Sequence, residues 1–88
     1  ADGHELTLAT HVLGPLLLSC LFKPRLAAAG GARVVFVSSG GMYGARLSVA
    51  DVEWRARPFD GVSAYAQAKR MQVVLAETLA RQLAADRI

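Results

Sequence analysis

Tyr65 and Lys69 stand four positions apart in "SAYAQAKR", residues 63–70, inside a stretch otherwise rich in alanine, leucine and valine. An α-helix places i and i+4 one above the other on a single face. A helix here therefore makes the phenol and the ammonium neighbours. A cation beside a phenol stabilises the phenolate, and a tyrosine that exchanges its proton near neutral pH is a general acid/base. The same spacing also suits an amphipathic helix whose tyrosine and lysine merely mark its edge. Spacing alone leaves both readings open. A further hydroxyl, that of Ser39, closes the apolar run "ARVVFVSS" upstream.

The elements that must position these groups read as helix, strand, long loop and helix, an α/β pattern. The first helix is predicted to start near Asp2, with Asp2 as cap and Glu5 reaching back to it in a capping box. Its apolar stripe runs through Leu6, Leu13, Leu17 and Leu21 and is widened by Leu8, Val12, Leu16 and Leu18. Pro15 removes one backbone donor and should bend this helix, and Pro24 should bend or end it. Val34 to Val37 has no polar alternation, the habit of a strand buried on both faces of a helix-covered parallel sheet. Such a strand needs strand neighbours, and "RLSVADVEW" is the only weak rival in the chain. The loop from Gly40 to about Gly61 is long and carries Trp54, Pro58 and Phe59, which suggests partial order over a pocket. The last helix should begin near Val62 or Ser63 and reach about Asp86. It has one stripe at Ala68, Met71, Leu75, Leu79 and Leu83 and a second at Ala66, Val73, Val74, Ala80 and Ala84.

Composition narrows the classes. With 88 residues, the chain is at most one small domain. It is 53% hydrophobic and only 19% charged. That is more apolar surface than so short a chain hides, so it is either a fragment of a larger domain or a surface for association. A single cysteine, Cys20, excludes an internal disulfide and reads as a small buried hydrophobe. Net charge is +3, but the basic residues are scattered without a run, which argues for a solvated surface and against nucleic-acid binding. The apolar stretch "VLGPLLLSCLF" falls short of the roughly 20 residues of a membrane span, so a buried helix is expected. No secretory signal pattern opens the chain, and a cytoplasmic location is expected.

"RVVFVSSGGMYG", "FDGVSAYAQAKR" and "DGHELTLATHVLGPLLL" occur in this order and cover nearly the whole chain. Together they resemble the short-chain dehydrogenase/reductase family, whose signature is a serine after a buried strand and then Tyr-x-x-x-Lys on the following helix. The "DGxE" and "SSGG" features are similar to the retinol dehydrogenase-like branch. The resemblance implies a doubly wound Rossmann-like parallel sheet, of which residues 1–88 are the catalytic middle of an NAD(P)-binding domain. The Gly-rich phosphate turn and the residue that tells NAD from NADP would then lie upstream, and the substrate segment downstream. It also implies that Ser39 is the catalytic serine, Tyr65 the acid/base and Lys69 its lysine, with Ser38, Tyr65 and Lys69 at the cofactor. His11 stands where the family often has an asparagine that holds a water in a proton relay. It either serves that relay or packs as a hydrogen-bonded histidine. The implied cofactor is NAD or NADP, the substrate a small alcohol or carbonyl compound, and the assembly a homodimer or tetramer through the two long helices.

Three readings follow. The first is a piece of an NAD(P)-dependent oxidoreductase. The second is an inactive fragment that keeps its helices as an association surface. The third, a minor one, is a related epimerase or dehydratase using the same Tyr–Lys pair.

Overall fold

A computed structural model describes residues 3–88. Helix α1 spans Leu6–Ala28 and helix α2 spans Gly61–Leu83, followed by a single 3₁₀ turn at Ala84–Asp86. Between the helices lie an irregular segment at 32–39, a 3₁₀ turn at Gly40–Gly44 and a loop leading to α2.

Glu5 starts α1. Its backbone is extended, and its carboxylate accepts from the amides of Thr7 at 2.8 Å and Leu8 at 2.7 Å. One side chain thus satisfies two of the four amides that a helix N-terminus leaves without partners. The expected Asp2 cap lies outside the described residues, and Glu5 is the cap rather than the reciprocating member of a box. Glu53 from the loop clasps the same end, accepting from the Glu5 amide and from His4 Nδ1, both at 3.1 Å.

Ahead of Pro15, where a bend is expected, the helix widens into a π turn at Ala9–Leu13, closed by the Gly14 amide donating to the Ala9 carbonyl. In regular α geometry the residue 15 amide would donate to the His11 carbonyl, and proline has none to give. Gly14 is required at this turn, because a Cβ there would stand 2.9 Å from the Ala9 carbonyl oxygen. The helix then continues through Pro24 to Ala28.

Helix α2 is capped by Asp60, which accepts from the Val62 amide at 3.2 Å and from Ser63 Oγ at 2.7 Å. Its side toward α1 is small near the start, with Ala64 and Ala68, which lets α1 come close, while Ala66 is buried on the opposite face. Leu8 and Val12 of α1 pack on Ala68, with Leu13, Met71 and Val52 around them. The second expected stripe is mostly outside: Val74, Ala80 and Ala84 are exposed.

The α/β expectation is corrected. Among the described residues there is no strand and no sheet, so the order is helix, loop, helix rather than helix–strand–long loop–helix of a parallel sheet. A strand exists only through ladder hydrogen bonds to a neighbour, and the rival segment turns instead of pairing. Asp51 and Trp54 take positive φ, and the Asp51 carboxylate accepts from the amides of Arg55 and Ala56. Segment 32–39 lies along α2 with its two sides treated differently. Val34 and Phe36 face a cavity of about 90 Å³ with Ala76, Leu79 and Leu83, whereas Val35 is 80% and Val37 75% exposed.

Helix α1 differs from its buried expectation too. Leu17, Leu18, Leu21, Phe22 and Cys20 are exposed. By length and composition alone, α1 is long and apolar enough to cross a membrane.

The accessible surface is 6025 Å², against about 5,000 Å² for a folded monomer of this mass. The radius of gyration is 14.4 Å, against about 12 Å for a compact domain of this length. Two outcomes follow. The isolated 88-residue segment should show no sharp cooperative melting transition, and a monodisperse 9.3 kDa monomer with one sharp calorimetric peak would contradict this. In the full-length protein, Glu5→Ala should cost about 1 kcal/mol through loss of the cap, read as a lower midpoint in denaturant; an unchanged midpoint rejects the capping role.

Candidate active site

Three segments meet around Tyr65. Its ring is T-shaped against the His11 imidazole of the π turn, with centroids 5.3 Å apart and planes at 89°. The Lys69 Nζ stands 5.8 Å from the centroid of the same ring, one turn along α2. From the third segment, Gly41 lies between Ser39 and Tyr65: a Cβ on it would sit 3.4 Å from Ser39 Oγ and 3.8 Å from Tyr65 Cε1. The serine segment thus comes within van der Waals reach of the phenol ring at Gly41. Tyr65 is 39% exposed, so the ring is supported on one side and open on the other.

Each side chain is held by local structure. Ser39 is extended and caps the 3₁₀ turn, its Oγ accepting from the Gly41 amide at 3.1 Å. That bond uses a lone pair and leaves the hydroxyl proton for another acceptor. Ser38 directs its hydroxyl to the Met42 sulfur at 3.5 Å instead. Lys69 donates to the Val37 carbonyl at 3.1 Å and to Gln72 Oε1 at 3.4 Å. Two of the three ammonium donors are thereby engaged, and a ribose hydroxyl would suit the third. Gln72, in turn, donates from Nε2 to the His11 carbonyl at 2.9 Å.

All four residues singled out in the sequence as catalytic (Ser39, Tyr65, Lys69 and His11) thus lie at one place, with Ser38 beside them. Gln72 was missed. A signal for it existed: it is a polar residue in the line Ala64, Ala68, Gln72, three positions after Lys69, and it is buried.

Burial, and after it the Lys69 ammonium, hold His11 below its ordinary value, against an opposing pull from Glu5. The imidazole in the folded chain is therefore neutral at pH 7. As pH falls below the ordinary value of 6.5, the unfolded chain takes up this proton before the folded one. The associated stability is present above that pH and is lost as pH falls toward the depressed folded value. In the full-length protein, His11→Asn should flatten the decline in melting temperature below pH 6.5. Parallel curves for parent and variant would show that His11 does not contribute.

A family model described as the NAD dependent epimerase/dehydratase family matches residues 3–86. The chain is 42% identical over 80 residues to "Dehydrogenase/reductase SDR family member 12" of Homo sapiens, covering 91% of this chain and 25% of that protein. It is 39% identical over 87 residues to "Probable oxidoreductase" of Streptomyces antibioticus, covering 99% and 29%. It is 29% identical over 82 residues to "Retinol dehydrogenase 13" of Homo sapiens, covering 93% and 25%. No solved structure matches. The chain spans about a quarter of the length of the curated relatives it matches first. A match over nearly every described residue, joined to a tyrosine and a lysine on one helix with a serine brought near them from another segment, places the chain in the NAD-dependent epimerase/dehydratase family, among the short-chain dehydrogenases/reductases.

Proposed function

We propose that the full-length protein is an NAD(P)-dependent oxidoreductase interconverting an alcohol and a carbonyl compound at this site. The observation that carries the reading is the convergence of Ser39, Tyr65, Lys69 and His11 from three segments on one half-open phenol. The nicotinamide, when bound, supplies or accepts the hydride. Everything else falls to the chain. A carbonyl oxygen that gains negative charge needs donors aimed at it, and the Ser39 and Tyr65 hydroxyls are two. Tyr65 delivers the proton to that oxygen in reduction and removes it in oxidation. The Lys69 ammonium stabilises the phenolate that remains and offers a donor to the cofactor ribose. The neutral His11 imidazole supports the Tyr65 ring without adding a competing charge. The names of the relatives, a dehydrogenase/reductase and an oxidoreductase, favour this reading over an epimerase or dehydratase built on the same pair.

The substrate class is an alcohol or carbonyl compound, and the "Retinol dehydrogenase 13" relative makes the retinol/retinal pair a first one to try. Association through the long helices belongs to the same proposal, because Leu17, Leu18, Leu21 and Phe22 present an uncovered face on α1. In sedimentation, Leu21→Glu should convert a full-length dimer to monomer; a dimer that survives the change rejects this face.

The decisive test uses the full-length protein with NADH or NADPH, retinal and phenanthrenequinone. Tyr65→Phe removes only a hydroxyl and should lower kcat by about 10²–10⁴. Ser39→Ala should lower it by about 10²–10³. Lys69→Met should reduce both turnover and cofactor affinity, the latter read from nicotinamide fluorescence. Near-parental turnover in Tyr65→Phe removes the catalytic reading.

A further inference from the structure

Gln72 is buried in the seam between α1 and α2, at 7% exposure, and both ends of its amide are engaged. One end faces an ammonium, which only donates. The other faces a backbone carbonyl, which only accepts. A single orientation of the amide satisfies both, with Oε1 toward Lys69 and Nε2 toward His11. The His11 carbonyl is available because the residue one helical turn on, Pro15, has no amide to donate. Lys69 carries its charge on a flexible four-carbon stem, so the ammonium stands where its acceptors hold it. It has two: the Val37 carbonyl, on a segment with no ladder partner, and Gln72, on the ammonium's own rigid helix.

We propose that Gln72 is a positioning residue of this site: its side-chain amide bridges the Lys69 ammonium to the π-turn carbonyl of His11 and thereby fixes the ammonium beside Tyr65. The proposal rests on the oxidoreductase reading and deepens it. It makes the π turn part of the acid/base apparatus through its backbone, independently of which side chain occupies position 11. The charged and titratable groups that face Tyr65 are Lys69 on its own helix and the His11 imidazole from α1, while the Ser39–Gly41 segment brings a hydroxyl and backbone.

The test reads the Lys69 amine directly in the full-length protein, by labelling with trinitrobenzenesulfonate and mass-spectrometric mapping of the modified lysine. Gln72→Met keeps length and volume and removes both polar ends, so an ammonium held by Gln72 is released and Lys69 should label several-fold faster than in the parent. Gln72→Glu keeps an acceptor for Lys69 and should leave its labelling slow. A residue that merely packs the seam would leave Lys69 labelling in Gln72→Met at the parent's rate, which overturns the proposal. If Gln72→Met does not fold, Gln72→Ala is read in its place by the same criterion. Turnover of phenanthrenequinone separates the two levels. Near-parental turnover in Tyr65→Phe brings down the catalytic reading and the positioning role together. A catalytic Tyr65 with unchanged Lys69 labelling in Gln72→Met brings down the positioning role alone.

Discussion

The missing amide of Pro15 is the constraint from which the site is built. A helix interior leaves no carbonyl idle, and a buried acceptor without a donor costs about 1–3 kcal/mol. Here the chain widens into a π turn at Ala9–Leu13, and the Gln72 amide supplies a donor to the His11 carbonyl. The widened turn depends on Gly14, since any Cβ would meet the Ala9 carbonyl. Glycine and proline are thus used together, one to permit the turn and one to force it. The same turn carries the imidazole that supports the Tyr65 ring.

Close approach of the helices makes this local feature reach α2. Ala64 and Ala68 leave little side chain between the backbones, so a glutamine amide spans from one helix to a carbonyl of the other. Larger residues at 64 or 68 would open the seam and take the Gln72 amide out of reach. Small side chains therefore shape the candidate site as much as the charged ones do.

Local spacing made part of this legible in advance. Tyr65 and Lys69 are one helical turn apart wherever the helix forms, and α2 forms because Asp60 caps it and its apolar residues recur at helical spacing. Glu5 caps α1 rather than returning a bond to an earlier residue, because its carboxylate is long enough to take the amides of both Thr7 and Leu8. The strand expected at Val34–Val37 does not form. Its residues have strong β preference, but preference supplies no partner, and pairing is a non-local event that a run of four residues cannot specify. Ser39 came to the site through resemblance, because nothing in its own neighbourhood announces Tyr65. Gln72 was passed over as one polar residue on an apolar stripe, since its worth depends on a carbonyl 61 residues away.

An unpaired segment still delivers Ser39, because it is registered against α2 at several points instead of against another strand. The Ala32 amide donates to the Arg87 carbonyl beyond the end of α2. Val34 and Phe36 then sit over Ala76, Leu79 and Leu83. The Val37 carbonyl accepts from Lys69, and Gly41 meets Tyr65. Read in order, the segment runs antiparallel to the helix, and each contact fixes the next. The Lys69 bond is the last of these before Ser39. One ammonium therefore stands beside the phenol and ties down the segment that carries the serine, so the reach of Lys69 links the places of the Tyr65 and Ser39 hydroxyls.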